Sequence, residues 1–142
     1  MWVSVHALSG LTLGALAPLG MVLTVVCALL LHLLLDLVPH WDYTGHRLRT
    51  LWAFLDVAVS IALVVTLVLV LDLPGRAVVA AIVSALPDLD VFDAVLPGSK
   101  HRRWFPSHWR GFPHGRASPL VGILLQAVVA LGAIVILIVS AE

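Results

Sequence analysis

Residues 50 to 71 form the sequence TLWAFLDVAVSIALVVTLVLVL, in which Asp56 is the one charged side chain. As an α-helix, with a rise of about 1.5 Å per residue, this stretch would be about 33 Å long. That length crosses the hydrocarbon core of a bilayer, which is about 30 Å thick. The stretch therefore predicts a transmembrane helix.

The composition of the whole chain is similar to that of this stretch. Of its 142 residues, 61% are hydrophobic and 11% are charged, which is more apolar than a soluble domain of this size allows. Prolines and glycines divide the apolar sequence into segments, since neither continues a helix well. We predict an all-α integral membrane bundle of about five transmembrane helices, forming one domain over residues 1–142. The predicted spans are residues 3–17, 21–38, 50–71, 76–94 and 118–140, of which the fourth is interrupted by Pro87, and residues 95–117 form a partly ordered cytoplasmic loop.

The basic residues predict how the helices cross the membrane. Seven of the eight Lys and Arg residues lie in the two segments that follow the second and fourth spans. By the positive-inside rule these segments face the cytoplasm, which places the N-terminus inside and the C-terminus outside a bacterial-type cytoplasmic (inner) membrane. The formal net charge of zero offers no global field for a nucleic acid, so the expected partner is the lipid bilayer. The oligomeric state is not predicted.

Alternating helix directions would bring ionisable side chains from distant parts of the chain to the cytoplasmic face. One pair is local: His32 and Asp36 are four residues apart and lie on one face of the second span. A carboxylate at the centre of a membrane helix costs about 2.5 to 3.5 kcal/mol on insertion scales. Such residues are usually paired, hydrated or bound to a cation. The candidate metal ligands are His6, His32, Asp36, His40, Asp88, Asp90 and His114.

Imidazole and carboxylate ligands suit zinc first, with manganese, iron or magnesium as alternatives, and the candidates suffice for one or two ions. The single cysteine, Cys27, excludes a thiolate cage within one chain. Other polar residues of the same face are candidates for supporting roles. Asp42, Asp56 and His108 are candidates for a general base or for orienting the ligands, and Arg110 and Arg116 for binding a substrate phosphate.

Structural roles remain open for several of these residues. His32 could form a hydrogen bond between helices instead of binding a metal. Asp36 and Asp56 could pair with arginines that reach in from the membrane surface. Asp88 could cap a short helical turn, with Asp90 near the same positive helix end. For Asp36 and Asp56, the pairing arginine would be Arg47 or Arg49.

Three short motifs carry a resemblance to a known family: SVHALSG at residues 4–10, SALPDLD at 84–90 and GFPHGRASP at 111–119. With them the chain resembles the YdjM-type family of membrane-bound metal-dependent hydrolases and, more distantly, the zinc-dependent phospholipase C group. The resemblance implies a metal site that includes the motif residues and a hydrolytic reaction, without naming a substrate. One departure is that Pro113, His114 and Gly115 replace the family's Thr-His-Ser, which removes two hydroxyl groups. The matching residues are His6, Pro87, Asp88, Asp90 and His114, with His101 and Arg102 in the family's His-Arg position.

These observations predict a membrane-embedded metal-dependent hydrolase that acts on phosphoesters or lipid headgroups at the cytoplasmic face. One alternative is a metal-binding or structural membrane protein without turnover. Another is a component of an ion or proton transporter, which would need polar groups through the full thickness of the membrane. The outer half of the predicted bundle offers only Asp72, Arg76 and Glu142 at its edge, which argues against a transporter.

Overall fold

The computed structural model describes residues 1–91 and 103–141, and the chain is all-α. Predictions that concern residues 92–102, among them His101 and Arg102, and those that concern Glu142 lie outside the described residues. Five α-helices lie wholly within them, together with two single 3-10 turns, at Leu86–Asp88 and Pro106–His108. The helices are α1 (Val3–Leu16), α2 (Met21–Leu37), α3 (Arg49–Leu71), α4 (Gly75–Ala85) and α5 (Pro119–Ala141).

The helices differ in length, and this bears on the predicted spans. Helices α3 and α5 each have 23 residues and are long and apolar enough to cross a membrane. Helices α1 and α2, with 14 and 17 residues, are apolar but shorter. Helix α4 has 11 residues and ends at Ala85, inside the fourth span predicted over residues 76–94, and the chain is helical again at residues 89–91. Pro87 explains the early end, because it has no N–H for the helical ladder and the chain tightens into a 3-10 turn.

Helix α1 lies at the centre of the bundle, in contact with the other four helices. Its closest neighbour is α4, and small residues make the close approach possible. A Cβ atom at Gly14 would lie 2.6 Å from the carbonyl oxygen of Arg76 and 2.7 Å from Cα of Ala77. Gly10, one turn earlier, meets Ala80 and Ser84 in the same way. This spacing of small residues is typical of closely packed membrane helices.

The N-terminus of α1 is capped by side chains from other helices. The carboxylate of Asp56 in α3 accepts hydrogen bonds from the backbone N–H groups of Val3 at 2.7 Å and Ser4 at 3.0 Å. Gln126 Oε1 in α5 accepts one from the N–H of Trp2 at 2.8 Å. These bonds satisfy donors that a helix cannot pair internally and stabilise negative charge at the positive helix end. Asp56, a candidate for a catalytic or supporting role, thus ties α1 to α3.

Substitution of Gly14 by Leu should destabilise the fold. The new side chain would meet the backbone of α4, and overpacking of this kind costs about 1 to 3 kcal/mol. Gly132→Leu is the matched control, because a Cβ at Gly132 meets no atom within 4 Å. Both changes gain the same helix propensity, so the comparison isolates packing. Thermal unfolding in detergent should occur at a lower temperature for Gly14→Leu than for Gly132→Leu, and equal temperatures would contradict the close α1–α4 packing.

Candidate metal centre

Side chains from the ends of α1, α2 and α4 meet in the interior of the bundle. His6 lies near the start of α1, and its Nε2 is 3.3 Å from Asp36 Oδ1 and 3.8 Å from Asp88 Oδ2. His32 Nε2 is 3.1 Å from Asp36 Oδ2, one helical turn away. All four residues are buried, and the rings of His6 and His32 stack with centroids 3.8 Å apart. The structure therefore brings together residues that are separated by up to 82 positions in the sequence.

The loop before α5 adds two more histidines to this cluster. His108 Nε2 lies 3.4 Å from Asp36 Oδ2 and 3.6 Å from Asp88 Oδ1. His114 packs against His40, with ring centroids 4.6 Å apart. Asp36 thus faces ligand-type side chains from α1, α2 and the loop, and its Oδ1 also accepts a hydrogen bond from the α-amino group of Met1 at 2.8 Å.

Three groups of side chains have the spacing that a metal ion requires. In each group, one potential ligand atom per residue lies within 4.8 Å of the others. Two of the groups share His32 and two share Asp36, so the groups form one continuous cluster. Nitrogen and carboxylate oxygen donors without sulfur match zinc, manganese or iron. The groups are His6, His32 and Asp36; His32, Asp88 and His108; and Asp36, His40 and His114.

In two histidines, a hydrogen bond at Nδ1 leaves Nε2 as the ring nitrogen that is available to bind a metal. Nδ1 of His32 donates to the carbonyl oxygen of Ser84 at 2.7 Å, and Nδ1 of His40 donates to that of Val38 at 2.7 Å. A carbonyl oxygen can only accept, so the proton is on Nδ1 when the ring is neutral and Nε2 carries the lone pair. Both Nε2 atoms are buried and lack a hydrogen-bond partner. Metal-binding histidines are oriented in this way.

The three histidines that lie between helices, His40, His108 and His114, differ in charge. Burial lowers the pKa of His40 to about 4, and it also lowers the pKa of His114, so both rings are neutral at pH 7 and can act as ligands. At His108, burial likewise lowers the pKa, but the nearby carboxylates of Asp36, Asp90 and Asp88 outweigh this effect and raise it to about 9. The carboxylates around His108 therefore favour a positive charge at this point, which a proton or a cation can supply.

Asp90 holds His108 in place. Its Oδ1 accepts a short hydrogen bond from Nδ1 of His108, and its Oδ2 accepts bonds from the backbone N–H groups of Trp104 at 3.0 Å and Phe105 at 3.2 Å. Asp90, a candidate metal ligand by sequence, therefore lies behind His108, and Nε2 of His108 faces the cluster. A carboxylate that orients a histidine in this way raises the basicity of the ring and strengthens metal binding.

Several buried polar atoms of the cluster have no hydrogen-bond partner. An unsatisfied buried donor or acceptor costs about 1 to 3 kcal/mol, so their concentration in one place needs a compensating ligand. Nitrogen lone pairs and carboxylate oxygens without donors are the groups that a divalent cation would satisfy. The donor set therefore fits a metal ion. The atoms are both ring nitrogens of His6, Nε2 of His32, His40 and His108, Nδ1 of His114, and Oδ2 of Asp36 and of Asp88.

A polar cavity of 270 Å³ adjoins the cluster. Asp88, His108 and His114 line the side that faces the candidate ligands. Three arginines line the same cavity, and we call it the arginine cavity. Arg110 and Arg116 are candidates for phosphate binding by sequence; the third arginine, Arg103, is predicted from sequence only to signal topology or to contact anionic lipid headgroups. The three are Arg103, Arg110 and Arg116.

Asp42 lies at the edge of this cavity and outside the three metal-ligand groups. It is exposed, and its Oδ1 accepts hydrogen bonds from the backbone N–H of Thr44 at 2.8 Å and from the Thr44 hydroxyl. This is a local turn in which an Asp side chain bonds the backbone two residues further on. Asp42 is therefore positioned to face the cavity, but not to share an ion with Asp36.

The loop is fastened to the end of α2 by backbone hydrogen bonds. The N–H of Gly115 donates to the carbonyl of Asp36 at 2.9 Å, and that of Ala117 donates to the carbonyl of His40 at 3.0 Å. A Cβ atom at Gly115 would lie 2.6 Å from the carbonyl oxygen of Leu37. There is therefore no space for a side chain larger than that of glycine at position 115, and the close contact places His114 beside His40.

The described residues thus form buried histidine and carboxylate groups that could bind metal, next to a cavity with three arginines. No protein-family model, curated protein or solved structure matches this chain. The functional assignment therefore depends on the chemistry of this site.

Proposed function

We propose that this chain is a membrane-embedded, metal-dependent hydrolase of phosphoesters. The observation that carries the proposal is the convergence of unpartnered Nε2 atoms and carboxylate oxygens from three helical elements and one loop, beside the arginine cavity. The cluster supplies ligands for a cation, and the arginines supply donors for an anion. A phosphoester is the substrate class that needs both.

The metal ligands would be His6, His32, Asp36, Asp88 and His108, with His40 and His114 forming a second group around the other side of Asp36. Because Asp36 belongs to two groups and has two carboxylate oxygens, the cluster suits two ions as well as one. Zinc fits this mixture of imidazole and carboxylate best, with manganese, iron or magnesium as alternatives. A divalent cation bound here supplies Lewis acidity and lowers the pKa of water.

The protein's own residues would bind and orient the reactants. Arg103, Arg110 and Arg116 line the cavity, where their guanidinium groups would hold phosphoryl oxygens. Asp42 lines the same cavity and is the carboxylate best placed to accept a proton outside the metal-ligand set. In the reaction, the oxygen of water joins phosphorus, the P–O bond to the alcohol breaks, and one proton of water ends on the alcohol oxygen.

The membrane arrangement is part of the same proposal. Helices α3 and α5 would cross the bilayer, and the shorter α1, α2 and α4 would complete a five-helix bundle. The site lies where α1 and α3 begin and α2 and α4 end, which is the end that carries most basic residues. By the positive-inside rule this end faces the cytoplasm of a bacterial-type cell. The resemblance of His6, Asp88, Asp90 and His114 to the YdjM-type motifs supports the same reaction class.

The transporter alternative receives little support from the far side of the site. There Leu11, Ala77, Ala81 and Leu137 form a buried apolar cluster, with further aliphatic residues packed against it. An ion would have to cross this cluster without polar ligands, at a high energetic cost. A metal-binding protein without turnover uses the same cluster, and the experiments below distinguish it from a hydrolase.

The first test is metal content. The full chain, purified in detergent and reconstituted with zinc, should retain one or two ions per chain when measured by elemental analysis. Asp36→Asn removes the charge shared by two ligand groups and should lower zinc affinity by at least about 10-fold to 100-fold. Asp72→Asn is the matched control, because Asp72 lies outside the cluster and asparagine tolerates its positive φ of 49°. A wild-type chain that keeps no metal would overturn the proposal.

The second test compares two aspartates near the site. Asp90→Asn weakens the hold on His108 and should lower zinc affinity by about 10-fold to 100-fold, as measured by competition with a chelator. Asp42→Asn should leave zinc affinity unchanged and lower the rate of phosphoester hydrolysis. Equal zinc affinity in the two variants would contradict the orienting role of Asp90.

The third test concerns the arginine cavity. Arg110→Gln removes a charged donor and should weaken binding of inorganic phosphate by about tenfold, with zinc content unchanged. Arg47→Gln, at a position outside the cavity, should have no effect. Assays with phosphate monoesters and diesters then separate an enzyme from a passive binder, since a zinc-loaded chain that binds phosphate but hydrolyses neither class is not a hydrolase.

A further inference from the structure

An apolar groove of 380 Å³ lies between α1, α3 and α4. Its inner wall contains small buried side chains, among them Ala7, Ser60 and Ala81. Ile61 and Ile82, which are 60% and 56% exposed, border its opening. Helices α3 and α4 each pack against α1 and hardly touch one another, so the space between them stays open.

The groove and the arginine cavity share one lining residue, Asp88. This residue also belongs to the metal-ligand group that contains His32 and His108, and its Oδ2 has no hydrogen-bond partner. An apolar compartment and a compartment for charged groups therefore meet at one buried carboxylate.

We propose that the groove holds a hydrocarbon chain of the substrate, so that the substrate is a lipid phosphoester whose phosphate lies in the arginine cavity. The inference rests on the proposed function and names the substrate class of that same site. A molecule that fills both compartments needs an apolar chain joined to an anionic group. Along α3 the groove extends from Val57 to Val65, which is about 12 Å of helix and accommodates an extended chain.

The direction of the opening supports a lipid over a water-soluble phosphoester. The exposed residues at the opening are apolar and lie on the side of the bundle, where α3 would face the bilayer. A lipid could therefore enter sideways, with its chain between α3 and α4 and its headgroup at Asp88. A lipid whose chain fills the groove without a phosphate in the arginine cavity would not be displaced by inorganic phosphate. This difference makes the proposal testable.

The experiment uses the zinc-loaded full chain in nanodiscs with two photoreactive probes. One probe, called the phosphate probe, is dodecylphosphonate with a diazirine at the end of its chain, since the proposed reaction does not cleave its P–C bond; the other is the corresponding alcohol without the phosphorus group. The phosphate probe should label the part of α3 and α4 that lines the groove, and inorganic phosphate should reduce this labelling. The alcohol probe should label lipid-facing surfaces generally and should not respond to inorganic phosphate.

Substitutions in the groove test where the hydrocarbon chain of the probe binds. Ala85→Phe fills the groove close to Asp88 and should reduce groove labelling by the phosphate probe about tenfold, as expected for a substrate that loses part of its apolar pocket. Ala58→Phe makes the same change on α3 outside the groove and should have no effect. Retention of zinc by Ala85→Phe verifies that this variant is folded. If this variant does not fold, Val65→Trp blocks the groove from α3 instead.

The outcomes separate the two proposals. Groove labelling that is unaffected by inorganic phosphate, or by both groove-filling variants, overturns the lipid inference. If the wild-type chain hydrolyses methyl phosphate but shows no phosphate-dependent labelling, the hydrolase proposal stands and the lipid inference fails. If labelling is phosphate-dependent and no phosphoester is hydrolysed, the groove binds lipid phosphates and the hydrolase proposal fails.

Discussion

The carboxylate of Asp36 is the constraint on which the rest of the structure depends. It is completely buried at the end of α2, where an uncompensated charge would cost several kcal/mol. Its positively charged neighbours are the α-amino group of Met1 at 2.8 Å and Nε2 of His108 at 3.4 Å, and ring nitrogens of His6 and His32 lie within 3.3 Å of its oxygens. These partners come from Met1 and α1, from α2 itself and from the loop before α5, so pairing this one charge requires that distant segments fold together.

Close packing of backbones makes this convergence possible. Gly10 and Gly14 let α1 approach α4 until the ring of His6 reaches Asp88. Gly115 lets the loop lie against the last turn of α2, and Gly122 lets the start of α5 lie against the chain at Trp41. At each of these positions a Cβ atom would collide with backbone atoms of the neighbouring segment. The glycines are thus part of the architecture of the site, although none of them supplies a ligand.

The sequence allowed part of the site to be predicted. The convergence of His6, Asp36 and Asp88 follows from alternating helix directions, because the ends of consecutive antiparallel helices lie at the same level. The roles of Asp56 and Asp90 did not follow. Both are acidic residues at the expected level, yet one caps α1 and the other orients His108. The choice depends on side-chain directions in several elements at once, and these are not contained in residue spacing.

Sequence alone determined the properties that arise locally along the chain. The apolar composition and the 3.6-residue geometry make helices, and prolines end them, as Pro87 ends α4 before the predicted limit of the span. Only the tertiary structure decided which histidine nitrogens are left without partners, that Arg103 faces the cavity, and that an apolar groove opens at Asp88. The physical reason is that these features depend on distances between backbones remote in sequence, which are set by contacts of small residues and not by the period of any one helix.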